Sequence, residues 1–478
     1  MSNHERIWEG DLLGRRADAE FLEFFLVKRV EERGHAGQKM SFVLNIDAPW
    51  GYGKTWFVDR FVEQLVSSGR RVAKINAWQN DYADDPLIPV MAAIDDVIAP
   101  TARGKKKALW RKVKANGASI AYSFVRGAAS HWIKKGTGDA LSDVINVVNN
   151  ENLEAVREGS EHASDTFLNI IDKNAEELIS KFKIQSRTIE QFRSGLSHTI
   201  KGTSNDSEID LLFVVIDEMD RCRPTYAILL LERIKHIFET DYVVFIIATD
   251  SIQLQHSVSS IYGANFDSRS YLKRFFDRTY HLELPSIEKF VESQVAKLPL
   301  SQLEMPANYS AKDSILASIS CFDLSLRDIQ QCLDHFHSIV TSWNASSLIQ
   351  FGALFPMIIA YHKGVDPDIS LTYSDKVANI VSRSKKNMIS YHFKKVTRIS
   401  DDDNISYPFQ VMAKYIYLSS KSFEDLIKFT PEDSVTIWIF NTFLNEMKLN
   451  TGDNSRNDRH SAINTYPALI RQTGRLSV

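Results

Sequence analysis

Two short stretches carry residues able to do chemistry on a phosphate: Gly51, Gly53, Lys54 and Thr55 in "NIDAPWGYGKTWF" (45–57), and Asp217 with Glu218 in "LLFVVIDEMD" (211–220). The first ends in the pattern G-K-[ST]. Glycines let a backbone approach phosphate oxygens and turn its N–H groups inward, a lysine reaches the β- and γ-phosphates, and a hydroxyl can sit on Mg²⁺. The stretch Pro49, Trp50, Gly51, Tyr52, Gly53, Lys54, Thr55 and Trp56 is therefore the candidate nucleotide-contacting set, with ATP and Mg²⁺ as the expected ligands. The first glycine of the full G-x-x-x-x-G-K-[ST] pattern is replaced by Ala48, at a place where glycine serves for its dihedrals or its lack of a side chain.

The loop needs a carboxylate partner. Asp217 closes an apolar run and is placed to hold the metal through water, beside the Thr55 hydroxyl; Glu218 follows as the base that takes a proton from attacking water. Lys54, Asp217 and Glu218 are thus the catalytic candidates. Asp220 has two readings, a further metal contact or a structural role in pairing with Arg221 or capping the helix after Pro224. Thr249 or Asp250, ending "VVFIIATD", can sense a γ-phosphate or cap the next helix. An arginine can neutralise charge on the transferred phosphoryl group, and Arg327 is the first candidate, ahead of Arg269, Arg274 and Arg278.

The elements around these residues alternate as a parallel α/β core requires. Helical spacing over 16–34 precedes a strand at 41–47, the glycine loop, and an amphipathic helix from Thr55 with Phe57, Val58, Phe61, Val62 and Leu65 on one face. A second strand, 71–78, is expected to return beside the first by a right-handed crossover. Residues 209–220 and 242–250 read as buried parallel strands. The chain thus divides into a first part of the core (10–100), a helical insertion with a basic segment (101–208), a second part of the core (209–285), a helical lid (286–340) and a helical C-terminal region (341–478) with a polar stretch at 449–462. A weak strand signal lies at 278–284.

At 478 residues the chain exceeds a single core, and 44% hydrophobic with 24% charged residues is ordinary for a globular protein. A net charge of −3 supplies no global attraction to nucleic acid or anionic lipid. Cys222, Cys321 and Cys332 are too few and too scattered for a disulfide framework or zinc site, as expected in a reducing cytoplasm. No apolar run approaches the about 18 residues of a membrane span, so the expected location is cytoplasmic, including the inner face of the membrane.

"PWGYGKTWF", "NAWQNDYADDPL", "FVVIDEMDRCRP", "VVFIIATD" and "YLKRFF" together resemble the KAP family of P-loop NTPases, and "DLLGRRADAEFL" (11–22) looks like that family's entry segment. The resemblance covers roughly 10–340, and Asn76-Ala77-Trp78 with Asp220-Arg221-Cys222 makes it specific. It implies a P-loop core of the additional-strand class, ATP or GTP with Mg²⁺, and a water activated by a carboxylate. Trp78 at the end of the second strand can pack beneath the phosphate loop or serve as a core tryptophan. Glu218 stands where family members often have aspartate.

Many family members carry membrane-spanning helices in the position of this insertion. Here "GASIAYSFVRGAASHWIKK" (117–135) is interrupted by Arg126 and His131, and it follows the basic residues Arg103, Lys105, Lys106, Lys107, Arg111, Lys112 and Lys114. Residues 103–135 can contact anionic membrane or nucleic acid, or form a solvated hairpin packed on the core or on a partner subunit. The helical regions are the expected contacts for a second copy or a partner protein. The resulting expectation is an ATP-hydrolysing conformational switch, with anti-phage defence or a membrane-linked complex as the family-based role; the rivals are a non-hydrolysing nucleotide-binding scaffold and a nucleic-acid-stimulated ATPase.

Overall fold

The computed structural model describes residues 3–101, 104, 107–115, 187–201, 209–283, 287–306, 309–322, 324–345, 347–381, 388–393, 405–421, 423–449 and 461–475. The chain divides into two compact units, Met1–Glu283 and Leu284–Val478.

The first unit is built on a parallel sheet of β1 (Phe42–Asp47), β2 (Arg71–Asn76), β3 (Leu212–Asp217), β4 (Val243–Thr249) and β5 (Arg278–His281), in the order β2-β3-β4-β1-β5. β3 and β4 are buried along their whole length, which is why they read as unbroken apolar runs rather than as alternating ones. Successive side chains leave a strand on opposite faces, and the core divides accordingly. Phe213, Val215, Val244 and Ile246 pack with Phe42, Leu44 and Ile46 on one face. There they meet α1 (Arg15–His35) and α2 (Lys54–Ser67). Leu212, Val214, Ile216, Phe245 and Ile247 face the other way, onto α3 (Leu87–Ile98), α4 (Pro224–Ile234) and α5 (Ser251–Tyr262).

One expectation is corrected. β2 does not lie beside β1; the neighbours of β1 are β4 and β5, and β2 pairs with β3 at the sheet edge in register Asn76 to Asp217. Strand β4 therefore stands between the loop-bearing strand β1 and the carboxylate-bearing strand β3, and the architecture is an α/β P-loop core of the additional-strand class. β2 also ends at Asn76 rather than Trp78, because residues Trp78–Asn80 turn into a short 3₁₀ segment held by Asn80 Nδ2 donating to the Asn76 carbonyl at 2.8 Å.

The second unit is mainly helical, with short strand pairs Leu303–Glu304 with Ile349–Gln350 and Tyr391–His392 with Ile405–Ser406. Its apolar core gathers residues from α6 (Ala311–Phe322), α7 (Leu326–Ser342), α8 (Phe351–His362), α9 (Pro408–Ser419) and α10 (Tyr466–Thr473). α7 begins with a reciprocal cap between Ser325 and Asp328. Buried among α7, α8 and α10, His335 places Nδ1 3.1 Å from His362 Nε2 and Nε2 2.7 Å from Thr473 Oγ1. Burial pushes His335 down to about 4, with His362 adding to the effect.

Among the described residues, no helix is long and apolar enough to cross a membrane. Arg103, Lys105, Lys106, the 117–135 stretch and most of the polar 449–462 stretch lie outside the described residues. Lys107, Arg111, Lys112 and Lys114 are helical, and Lys114 pairs with Asp95 at 3.0 Å.

Candidate functional site

β1 delivers the chain to the C-terminal edge of the sheet, where it must turn sharply into α2. Gly51 (φ 84°) and Gly53 (φ 75°) supply the left-handed backbone of that turn, and Gly53 is the residue before the first turn of the helix. Ala48 is different. It has no positive φ, it is buried at 1% exposure, and its N–H donates to the Thr249 carbonyl at 3.2 Å. In this conformation the position makes no demand that only glycine can meet.

Lys54 opens α2 and lies buried, its ammonium donating to the Ala48 carbonyl at 3.0 Å and standing 3.9 Å from Asp220. Burial lowers Lys54 from the ordinary lysine value, opposed by Asp220, Asp250, Asp217 and Asp47. Thr55, next on the helix, is half-buried. The loop is propped from below by Arg15, a nearly fully buried arginine whose guanidinium donates to the Tyr52 carbonyl at 3.3 Å and pairs with Asp18 at 3.4 Å. Asp11, in the entry segment, fixes the start of α1 by accepting the Arg15 and Arg16 N–H groups. Trp56 packs edge-on against Trp8, whose indole donates to Gln64 at 2.8 Å, so its side chain belongs to the support of the loop.

At the end of β3, Asp217 is 1% exposed; Oδ1 accepts the Glu218 N–H at 2.8 Å, and Oδ2 is buried without a hydrogen-bond partner. Burial pushes Asp217 up to about 6, the Glu218 charge adding to the effect against its backbone hydrogen bond and Lys54. Glu218 sits at φ 60°, an uncommon backbone for a side chain of this size. Its two oxygens have separate partners: Oε2 accepts from Asn76 Nδ2 at 2.9 Å, and Oε1 pairs with Arg221 at 2.7 Å.

Neither structural role expected for Asp220 is found. Arg221 pairs with Glu218 instead, and the helix after Pro224 has no side-chain cap. Asp220 turns toward the loop and accepts the Trp50 indole N–H at 2.5 Å. Asp250 caps α5, accepting the Ile252 and Gln253 N–H groups, and its other oxygen accepts the Trp50 backbone N–H at 3.1 Å. Thr249 is fully buried and donates to Asn45 on β1 at 2.9 Å. Trp78 takes neither expected position: it is half-exposed, with the Arg221 guanidinium 5.9 Å from its ring centre.

Within the first unit, the structure brings together Lys54, Asp217, Glu218 and the loop. Arg269, Arg274 and Arg278 are exposed, with Arg274 lining a 410 Å³ pocket near Val43 at the opposite end of β1. Arg327 is exposed on the first turn of α7 in the second unit. Asn76, Arg221 and Arg15 were missed as site residues; the signal for the first two lay in the "NAW" and "DRC" triplets, which marked a family without revealing a contact.

A glycine loop between a strand and a helix, an added strand, and a strand-end carboxylate pair define a P-loop NTPase fold. The family model of the KAP family P-loop domain matches residues 33–342, and the chain belongs to that family of nucleotide-binding NTPases. No curated protein matches the chain.

Proposed function

We propose that the protein binds ATP with Mg²⁺, hydrolyses it, and uses the nucleotide state as a conformational switch. The observation that carries this reading is the buried Lys54 ammonium at the start of α2, near the end of the strand that closes with Asp217 and is followed by Glu218. A buried ammonium held near carboxylates is a ready counter-charge for phosphate oxygens, and the first N–H groups of α2 add to it. Thr55 and Asp217 would hold the cation; the bare, buried Oδ2 of Asp217 is an acceptor that fits it. When bound, Mg²⁺ would neutralise charge on the β- and γ-phosphates.

Glu218 is the base in this reading. It accepts a proton from water, while Asn76 and Arg221 fix the rotation of its carboxylate. The switch begins at Trp50, whose backbone is tied to the α5 cap Asp250 and whose indole is tied to Asp220, so a loop that closes on phosphate pulls on both connections. Arg327 is the arginine we assign, on its sequence position, to the transferred phosphoryl group. The pathway served, anti-phage defence or a membrane-linked complex, is suggested by the family resemblance alone.

Steady-state phosphate release tests the reading. The expected result is release that saturates with ATP in wild type and falls to background in Lys54→Ala. Wild-type release no faster than Lys54→Ala, with ATP still bound, would replace the enzyme by a nucleotide-binding scaffold.

A further inference from the structure

The carboxylates around Lys54 differ in how their charge is met. Asp47 accepts the Ser251 N–H at 2.8 Å on one oxygen and lies 3.1 Å from His281 through the other. Asp250 accepts three backbone N–H groups. Glu218 has Asn76 and Arg221. Only Asp217 and Asp220, among these five, keep a buried oxygen without a hydrogen bond: Oδ2 of the first and Oδ1 of the second. Both residues are more than nine-tenths buried. Three residues apart across the turn after β3, they share one nearby ammonium, Lys54, which stands 3.9 Å from Asp220.

We propose that Asp220 is a second carboxylate of the cation site, contributing with Asp217 to the shell of the divalent ion that accompanies the nucleotide. This rests on the nucleotide-binding reading above and extends it to a residue outside the usual loop-and-strand pair. When Lys54 turns to phosphate, Asp220 loses its nearest positive charge while its Oδ1 stays buried. An uncompensated buried carboxylate is strongly unfavourable, and a cation bound beside Asp217 removes that cost. Mg²⁺ is commonly held by one or two carboxylates plus phosphate oxygens, so two aspartates fit its coordination habit. The Trp50 indole, bonded to Oδ2, leaves Oδ1 free to face the ion and couples ion binding to the phosphate loop.

Mn²⁺ serves as the probe, read by the loss of the free-ion paramagnetic resonance signal on titration into ADP-loaded protein. The expected result is at least tenfold weaker Mn²⁺ binding in Asp220→Asn, with ADP binding in chelator no weaker than wild type. Mn²⁺ affinity within twofold of wild type would overturn the assignment while leaving the nucleotide reading intact; a wild type that binds no ADP at all would overturn both. A second measurement is independent of whether the Asp220 variant folds. Mn²⁺ added to the ADP-loaded protein should quench tryptophan fluorescence in wild type and much less in Trp50→Phe, because the ion sits beside the Trp50–Asp220 pair. Equal quenching in the two proteins would place the ion elsewhere and overturn the proposal.

Discussion

Asn76 Nδ2 donates to Glu218 Oε2 at 2.9 Å, joining the ends of β2 and β3 across adjacent strands. The contact depends on sheet order: β2 reaches the carboxylate because it lies beside β3 and not beside β1. With Arg221 on the other oxygen, the side chain of Glu218 is held from two sides. A carboxylate held in this way loses orientation when either holder is removed.

Asn76→Ala should therefore lower kcat about tenfold, the worth of one hydrogen bond to a charged acceptor, with ATP affinity unchanged within threefold. Asn76→Asp, which offers no donor and repels Glu218, should not rescue it. Turnover kinetics with a parallel binding titration checks this; an unchanged kcat in Asn76→Ala would remove Asn76 from the account.

Ala48→Gly should leave ATP affinity and kcat within threefold of wild type, because the position has an ordinary φ and its side chain packs in the core. The variant should instead lower the unfolding temperature slightly, since added backbone freedom in the unfolded chain costs about 0.4–1 kcal/mol. A tenfold gain in turnover would show that Ala48 restrains the loop.

Arg15→Met tests the support beneath the loop. It keeps apolar bulk and removes the donor to the Tyr52 carbonyl, so ATP should bind about tenfold more weakly, or about 1.4 kcal/mol. The residue touches no phosphate in this reading, so Kd should change more than kcat. Unaltered binding would make Arg15 a core residue without influence on the site.

How much of this was legible in the sequence follows from chain distance. The loop and the strand-end pair Asp217–Glu218 are local patterns, in which residue types, spacing and flanking strand and helix all lie within a dozen residues or so. The supports are not local: Asn76 and Glu218 are 142 residues apart, and Trp50 and Asp220 are 170 apart. No periodicity reports such pairings. The place of β2 was misread for the same reason, because sequential strands favour adjacency, and here β4, from far along the chain, takes one of the sides of β1. Of the two readings of Asp220, a metal contact or a structural role, the structural one named only nearby partners, Arg221 or the following helix, whereas the observed hydrogen-bond partner comes from the loop.

In the second unit, His335 makes the packing of α10 sensitive to acid. Its value is lowered from 6.5 to about 4 by burial and by His362, so the folded state binds fewer protons than the unfolded state between those values. The contribution of His335 to stability is full above about pH 6.5 and is lost as pH falls toward 4, on the order of 3 kcal/mol for a shift of this size. His335→Gln retains polar contacts and lacks the titration, so its thermal midpoint should fall less over that window. Parallel slopes for both proteins would show that other groups control the acid response.

The central claim, that this site binds ATP and that Glu218 drives its hydrolysis, is tested most directly by single-turnover cleavage of γ-labelled ATP with excess protein, comparing wild type with Glu218→Gln. The account predicts ATP binding within threefold in the two proteins and cleavage at least a hundredfold slower in the variant. Equal cleavage rates, or no cleavage by either protein with ATP bound, would contradict it.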